Sequence, residues 1–434
     1  MNWMNLSFKL QGFHIPEAEK QLKEIQQRCK QDLEAYQSEK RNQILQHHLK
    51  NNPAYAAFVG QTTQWNNLPI LTKASIQAPI EERLSQGFKA SDVHLHNTSG
   101  SSGTPFYFAK DKPCHALSWA LIRNRFAWHD IEIGRDLQAR FYGIPLSKTK
   151  YYKEKLKDQI ACRVRFPVFD LSDRVLEQYV EHFNRQAFVY LNGYTSSLVL
   201  LARYCIKKHF TLKSICPTLK VAFTTSEVCD SIDREILEKG LGTRVVNEYG
   251  AAELDLLGFE DAQGDFLLTH ETQYIEILND AGQAVKPGEE GRVIVTALYN
   301  KAMPFIRYEL GDRVMLKSSK KGSYQMIERI VGRTNDIALL PSGKKSPGLT
   351  FYYISKSLLE GGGFMKEFII RQKTLYHFHF EYVAEREISE LEKNKIKEAM
   401  DQYLEPGLEA TYEKKTHIER TKAGKLKQFF SELS

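Results

Sequence analysis

The chain has no paired cysteines. Its six, Cys29, Cys114, Cys162, Cys205, Cys216 and Cys229, include no C-x-x-C spacing. That argues against a structural zinc site and a disulfide framework, and leaves scattered reduced thiols as the reading. Long apolar runs are also missing. The best, Leu198 to Ile206, is interrupted by Arg203 and is far too short to span a bilayer. The first ten residues carry one lysine and no apolar core of the kind a secretory signal needs. These absences make a cytoplasmic protein with no membrane span the expectation. A large excess of charge of one sign is missing too. A net charge of +7 is mild for 434 residues and does not point to nucleic acid as a partner. No internal repeat or low-complexity tract stands out.

What is present is ordinary for a soluble globular protein, with 42% apolar and 26% charged residues. The length exceeds one core and implies two or more domains. One basic concentration lies between Lys148 and Arg165, where seven Lys and Arg face only Glu154 and Asp158. It reads as a solvated helix face, or as a dock for an anionic substrate.

Residues 16 to 50 predict one or two helices, because Leu22, Ile25, Cys29, Leu33 and Tyr36 recur at roughly helical spacing. The middle alternates short apolar strands with helices: Ala187 to Leu191, then Val221 to Phe223, then Arg244 to Val246. Each strand is expected to end in a polar turn, at Asn192-Gly193, at Thr224 to Glu227 and at Asn247 to Gly250. That pattern predicts a parallel α/β sheet with its ligand crevice beyond the carboxyl ends of the strands. From about Thr269 the pattern turns to antiparallel strands, at Tyr274 to Ile277, Arg292 to Ala297 and Gln325 to Val331. A smaller unit is expected after Gly332-Arg333, with a hairpin near Phe368 to Val383, a charged helix near Arg386 to Leu404 and a basic tail. The fold class is therefore α/β. A large N-terminal domain, 1–332, combines parallel-sheet α/β layers with a β-rich subdomain, and a small α+β C-terminal domain spans 333–434.

One loop concentrates hydroxyls and glycines: Thr98, Ser99, Gly100, Ser101, Ser102, Gly103, Thr104 and Pro105. Such a run is either a plain flexible loop or a cradle of N–H and hydroxyl groups for phosphate oxygens. It lacks the lysine of the common P-loop. His377 and His379 alternate on a strand and read as a solvated face before a metal site. Gly361 to Gly363 reads as a turn. Ser99 to Ser102 does not form a nucleophile elbow.

Five segments in order carry a resemblance: TSGSSGTP (98–105), NEYGAAE (247–253), IRYELGD (306–312), GRTND (332–336) and AGK (423–425). Together they resemble the adenylate-forming superfamily of acyl-CoA synthetases, and within it the phenylacetate–CoA ligase-like branch with its capsular-polysaccharide-biosynthesis members. Leu68 to Lys73 and Leu191 to Tyr194 fit that branch. The resemblance implies an ATP-dependent ligase that activates a carboxylic acid as its acyl-adenylate and passes the acyl group to coenzyme A. The alternative acceptor is an amine or hydroxyl on a sugar or a carrier. A non-catalytic nucleotide-binding scaffold is the reading of another class.

The resemblance also implies roles by position. Thr98, Ser99, Gly100, Ser101, Ser102, Gly103 and Thr104 would grip the β- and γ-phosphates of ATP. Glu253 would hold Mg²⁺, a cation that takes one or two carboxylates with phosphates and water. Tyr249 would stack on adenine, flanked by Ser226, Glu227, Asn247 and Gly250. Asp312 would accept from the ribose hydroxyls, and Arg307 would touch phosphate or brace Asp312. Arg333 would meet the nucleotide at a hinge centred on Asn335 and Asp336. Lys425 would bridge the attacking carboxylate and the α-phosphate. Tyr142, Gly143, Tyr194 and Ala251 would line the acid pocket. Oligomeric state stays open, with a homodimer through the helical first 50 residues as one option.

Overall fold

The computed structural model describes residues 3–433, apart from 63, 77, 98–105, 143–147, 169–170, 172, 334–336, 344, 348–353, 355–364 and 419–428. Helices α1 (Trp3–Leu10), α2 (Ile15–Gln31), α3 (Leu33–Asn51), α4 (Pro53–Val59) and α5 (Ile80–Arg83) come first. Asp32 caps α3 through the Ala35 amide and Asn52 caps α4 through the Tyr55 amide, so each break carries its own stop and start signal. Strands β1 (Val93–Asn97) and β2 (Tyr107–Asp111) then form an antiparallel hairpin with Asn97 opposite Tyr107. The hydroxyl-rich segment 98–105 joins these two strands and lies outside the described residues. Helix α6 (Lys112–Ala127) follows, capped by Asp111 through the Cys114 amide.

Next comes the expected parallel layer: β3 (Gln138–Phe141), α7 (Lys148–Ile160), β4 (Arg163–Phe166), α8 (Asp173–Arg185), β5 (Tyr190–Tyr194), α9 (Thr195–Lys207), α10 (Leu212–Ile215), β6 (Val221–Thr225), α11 (Ser231–Leu241) and β7 (Arg244–Ala251). The strands pair in parallel in the order β4-β3-β5-β6-β7. One face buries Phe141, Leu191, Ala222 and Val245 with α8, α9 and α11. The other buries Tyr190, Phe223 and Val246 with α2 and α6. Burial on both faces is why these strands read as short continuous apolar runs.

Two strand boundaries differ from the sequence reading. Strand β5 starts at Tyr190 and continues through Asn192-Gly193 to Tyr194. Gly193 belongs in the strand because a Cβ there would lie 2.6 Å from the Phe141 Cβ of β3. Strand β7 does not end at Val246. Its residues 244–247 pair in parallel with β6, and its residues 248–251 pair antiparallel with β8 (Asp255–Glu260). The segment expected as a turn is thus the point where one strand changes partners.

From β8 the sheet continues antiparallel through β9 (Phe266–Leu268), β10 (Gln273–Leu278), β11 (Glu290–Ala297), β12 (Tyr308–Lys321) and β13 (Tyr324–Arg333), giving eleven strands in all. A buried ion pair ties this half to the helices. Arg125 of α6 donates to both oxygens of Glu271 at 2.6 and 2.7 Å, and the Tyr324 hydroxyl adds a third bond at 2.8 Å. Burial alone would push the Glu271 carboxyl up, but Arg125 holds it at about 2. After a short ladder between β14 (Ile337–Leu339) and β15 (Lys345–Pro347) comes a separate small sheet. Its order is β18 (Glu409–Lys414), β17 (His377–Ala384), β16 (Met365–Gln372) and β19 (Phe429–Ser431). It has its own core, in which Phe368, Ile370, Phe378 and Phe380 pack on Ile396 and Met400 of the helix Glu390–Tyr403.

Candidate active site

The site is built where β7, β8 and β12 meet the segment Leu68 to Lys73. Leu71 bridges to Tyr308, with its amide donating to the Arg307 carbonyl (3.0 Å) and its carbonyl accepting from the Glu309 amide (2.8 Å). This extra rung runs the segment alongside β12 and delivers Lys73 to Glu253. The Lys73 Nζ lies 3.4 Å from the Glu253 Oε1, and the same oxygen accepts from the Tyr308 hydroxyl at 2.9 Å. Glu253 is buried at 2% exposure, so a neighbouring cation and a hydroxyl donor offset the cost of a carboxylate there. The Lys73 ammonium also sits 5.9 Å from the ring of Phe106, the first described residue after the segment 98–105.

Arg307 was expected to touch phosphate or brace Asp312. The structure gives it another task. It is buried, with Nη1 donating to the carbonyls of Trp65 (3.3 Å), Asn66 (3.0 Å) and Leu68 (2.8 Å), and Nε 3.3 Å from Glu276. Three carbonyls converging on one guanidinium fix the path of the chain just before Lys73. Arg307 is therefore a positioning residue for that lysine, held in a left-handed backbone conformation (φ 48°).

The hairpin β1–β2 is pinned to the turn that carries Glu253. Lys110 of β2 is buried, lies 2.6 Å from the Asp255 Oδ2 and donates to the Ala252 carbonyl at 3.2 Å. The Ser118 hydroxyl of α6 donates to the same carboxylate. Burial alone would raise the Asp255 carboxyl, and Lys110 holds it below the ordinary range. The turn is tight enough to demand glycine at 250, because a Cβ there would collide with the Asp255 carbonyl oxygen. Strand β2, which follows the hydroxyl-rich segment in the chain, is thus tied to the turn that carries Glu253 by interactions that the sequence does not announce.

Tyr249 and Asp312 come together in the structure. The Tyr249 hydroxyl donates to the Asp312 Oδ2 at 3.0 Å, and both residues are buried. Asp312 lies directly opposite Arg333 in the β12–β13 ladder, which sets the start of the expected hinge beside this carboxylate. Two buried carboxylates, Glu253 and Asp312, are of the kind that can ligate magnesium or accept hydrogen bonds from ribose hydroxyls.

Other expected residues divide. Ser226 is exposed at the carboxyl end of β6 with φ 69°. The Glu227 side chain has a partner within the protein. It caps α9, accepting from the Ser196 amide (2.7 Å) and hydroxyl (3.1 Å), because Tyr194 at the N-cap has no side-chain capping bond. Asn247 likewise serves the scaffold, accepting from the Thr224 hydroxyl at 2.8 Å and donating to Glu260 at 3.2 Å. Tyr142 and Tyr194 meet with ring centroids 4.7 Å apart, while Ala251 packs against the core cluster that includes Tyr249. Thr98, Ser99, Gly100, Ser101, Ser102, Gly103, Thr104, Gly143, Asn335, Asp336 and Lys425 lie outside the described residues.

The basic stretch 148–165 is partly neutralised within itself. Asp158 pairs with Arg163 (2.5 Å) and Arg165 (2.9 Å), and Glu154 pairs with Arg165 (2.9 Å) and Lys157 (2.7 Å). His377 and His379 share Thr411, at 2.8 and 2.9 Å, along one face of the small sheet. Glu381 on that face is committed to Arg371 at 3.0 Å.

No protein-family model matches the chain. It is 24% identical over 282 residues to protein CapK of Staphylococcus aureus, a match covering 62% of this chain and 59% of CapK. It is 22% identical over 338 residues to the phenylacetate–coenzyme A ligase of Aromatoleum evansii, covering 74% of each chain. Among solved structures, 2-hydroxyisobutyryl-CoA ligase in its postadenylation state superposes with a TM-score of 0.71 at 16% identity, covering 92% of this chain and 89% of that one. Anthranilate CoA ligase AuaEII with anthranoyl-AMP gives 0.54 at 14% identity, covering 77% and 65%. Among the described residues, no helix is long and apolar enough to cross a membrane. By sequence relationship and by fold together, the chain is a relative of CapK and of the phenylacetate–coenzyme A ligases, built on the fold of the adenylate-forming ligases.

Proposed function

We infer that this chain is an ATP-dependent ligase that activates a carboxylic acid as its acyl-adenylate and transfers the acyl group to coenzyme A. The observation that carries this reading is the meeting of Lys73, Glu253 and Tyr308 beside Phe106, with the Tyr249–Asp312 pair formed between β7 and β12. In the first step a carboxylate oxygen attacks the α-phosphorus of ATP. The bond to the bridging oxygen breaks and pyrophosphate leaves. In the second step the thiol sulfur attacks the acyl carbonyl, AMP leaves and the thiol proton passes to solvent.

Little covalent chemistry falls to the protein in such a reaction. Its work is to hold two anions together and stabilise charge on phosphorus. Lys73 supplies a cation next to a loop that has no lysine of its own. Asp312 accepts from ribose, and the Tyr249 ring stands by the base. Glu253 would hold a magnesium ion, whose chemistry is to neutralise phosphate charge. Residues 98–104 would wrap the β- and γ-phosphates, and Lys425 would enter from the basic tail. We set the boundary between the large and small domains at 332/333, with the hinge at Asn335 and Asp336 and a cytoplasmic location.

Acid-dependent ATP–pyrophosphate exchange tests the first step. A catalytically silent scaffold predicts no exchange with any acid while ATP still binds. Transfer to an amine or hydroxyl acceptor, in polysaccharide biosynthesis, is the second reading, favoured by the relationship to CapK. Mass analysis of products with coenzyme A, hydroxylamine and amino sugars separates the two acceptors.

A further inference from the structure

At the carboxyl ends of β3, β5, β6 and β7 the two pocket tyrosines are joined by two charged residues of opposite sign. Arg140 precedes Tyr142 by two positions, and its guanidinium carbon lies 4.1 Å from the centre of the Tyr142 ring. Its Nε is buried with no hydrogen-bond partner among the described residues. The arginines beside it on β4, Arg163 and Arg165, have taken Asp158. Among the described residues no carboxylate comes within ion-pair distance of Arg140. Glu248 of β7 stands on the other side, where it accepts from the Thr225 hydroxyl at 3.0 Å. Burial pushes the Glu248 carboxyl up, while the Thr225 hydrogen bond and the charge of Arg140 draw it back. The Tyr142 hydroxyl reaches the same threonine. A cation and a carboxyl therefore flank the tyrosine pair without touching each other.

Such a pair of charged groups is expensive to cover with hydrocarbon. A purely apolar acid would strip water from both groups and return no hydrogen bond. An ammonium group would satisfy Glu248 but stand against Arg140. A hydroxyl satisfies both, because it accepts from the guanidinium and donates to the carboxyl. The acid's own carboxylate must meet the nucleotide near Tyr249 and Asp312, so the hydroxyl belongs at the other end. We propose that the acid this chain activates carries a hydroxyl group remote from its carboxylate, held between Arg140 and Glu248. This rests on the adenylation reading above.

The test compares 3- and 4-hydroxyphenylacetate with phenylacetate, and 4-hydroxybutyrate with butyrate and 4-aminobutyrate. Two readouts are used on the full chain: pyrophosphate exchange, and the rise in Tm each acid produces. The expected result is a preference of roughly 10²-fold or more in kcat/KM for a hydroxylated acid, since a site built to bond a hydroxyl rejects the analogue without it. Arg140→Met should erode that preference at least about tenfold through KM for the acid, with KM for ATP unchanged. Glu248→Gln, which keeps an acceptor, should retain most of it. Equal use of the unsubstituted acids, or a preference that survives Arg140→Met, overturns the proposal. Were no acid to support exchange, the thermal readout still decides. A hydroxylated acid that raises the Tm of the wild type but not of Arg140→Met keeps the pocket and removes the adenylation reading. No rise with any hydroxylated acid removes the pocket.

Discussion

Replacing Lys73 by Met keeps the stem and removes the charge, so it separates support of the fold from work on the nucleotide. The ammonium is 3.4 Å from the Glu253 Oε1. At an effective dielectric of about 20, Coulomb's law gives 332/(20 × 3.4), or about 5 kcal/mol before solvent is counted. The Lys73 side chain is 35% exposed. Screening at that exposure leaves a net contribution of about 1 kcal/mol to stability. The catalytic effect should be larger. Loss of one donor aimed at developing charge costs about 10²–10³ in rate, or about 2.7–4 kcal/mol. Lys73→Met should therefore lower pyrophosphate exchange by about 100-fold or more, while urea unfolding moves by no more than about 1 kcal/mol. Lys73→Arg should recover part of the exchange, since the charge returns with a different geometry. Exchange by Lys73→Met within about threefold of wild type would refute the reasoning and leave Lys73 as a mere counter-ion for Glu253.

Three further outcomes are expected. Lys425→Ala should cut adenylate formation by about 10²–10³ with ATP affinity retained, which exchange and equilibrium binding together read out. Gly250→Ala should destabilise the chain by several kcal/mol, because the added Cβ meets backbone at Asp255 that no rotamer change can relieve. The measurement is the urea midpoint, and an unchanged midpoint would mean the 250–255 turn is pliable. His48 gives a pH effect. It is fully buried, its Nε2–H donates to the Asn300 carbonyl (2.9 Å) and its Nδ1 accepts from the Ser85 hydroxyl (3.0 Å), so burial holds it neutral and pushes its pKa down to about 3. The unfolded chain protonates first as pH falls, so this contribution is complete above about pH 6.5 and declines below it by about 1.4 kcal/mol per unit, until the folded state protonates too. His48→Gln should flatten the slope of stability against pH by about one proton between pH 6 and 4, and an unchanged slope would count against the neutral buried imidazole.

The local rules of sequence reading worked where one physical cause dominated. The parallel layer was legible because strands covered on both faces are short apolar runs, and Ala222 and Phe223 admit no other reading. The hairpin β16–β17 and the charged helix after it were legible close to their observed positions, and the Ser389–Glu392 capping box that starts the helix was not read. The candidate site was legible as five motifs in order, yet what assembles it was not. Lys73 reaches Glu253 only because Leu71 adds a rung beside Tyr308, and no local pattern encodes a pairing across 237 positions (308 − 71). Arg307 and Glu227 look like ligand-binding residues in their motifs, but each is claimed by nearby backbone that needs a partner: carbonyls 65–68 for one, the N-terminus of α9 for the other. Arg140 carries no motif at all. Its interest comes from the lack, among the described residues, of a carboxylate at ion-pair distance, which only the folded chain can reveal.

The double pairing of β7 has a consequence for recombination. Its first half is laced to the layer bearing Arg140 and the pocket tyrosines, and its second half to the layer bearing Glu253 and Asp312. Glu248 and Tyr249 are consecutive in that strand, one bonded to Thr225 and the other to Asp312, and the roles proposed above assign the first to the acid and the second to the nucleotide. Acid preference and nucleotide geometry are therefore inherited as one module. A graft meant to exchange substrate preference between relatives should cross over at Gly242, before the strand, and at the 261–264 turn, after β8. A crossover between 248 and 249 would join two halves whose registers were set by different partners, and should yield a chimera that keeps neither.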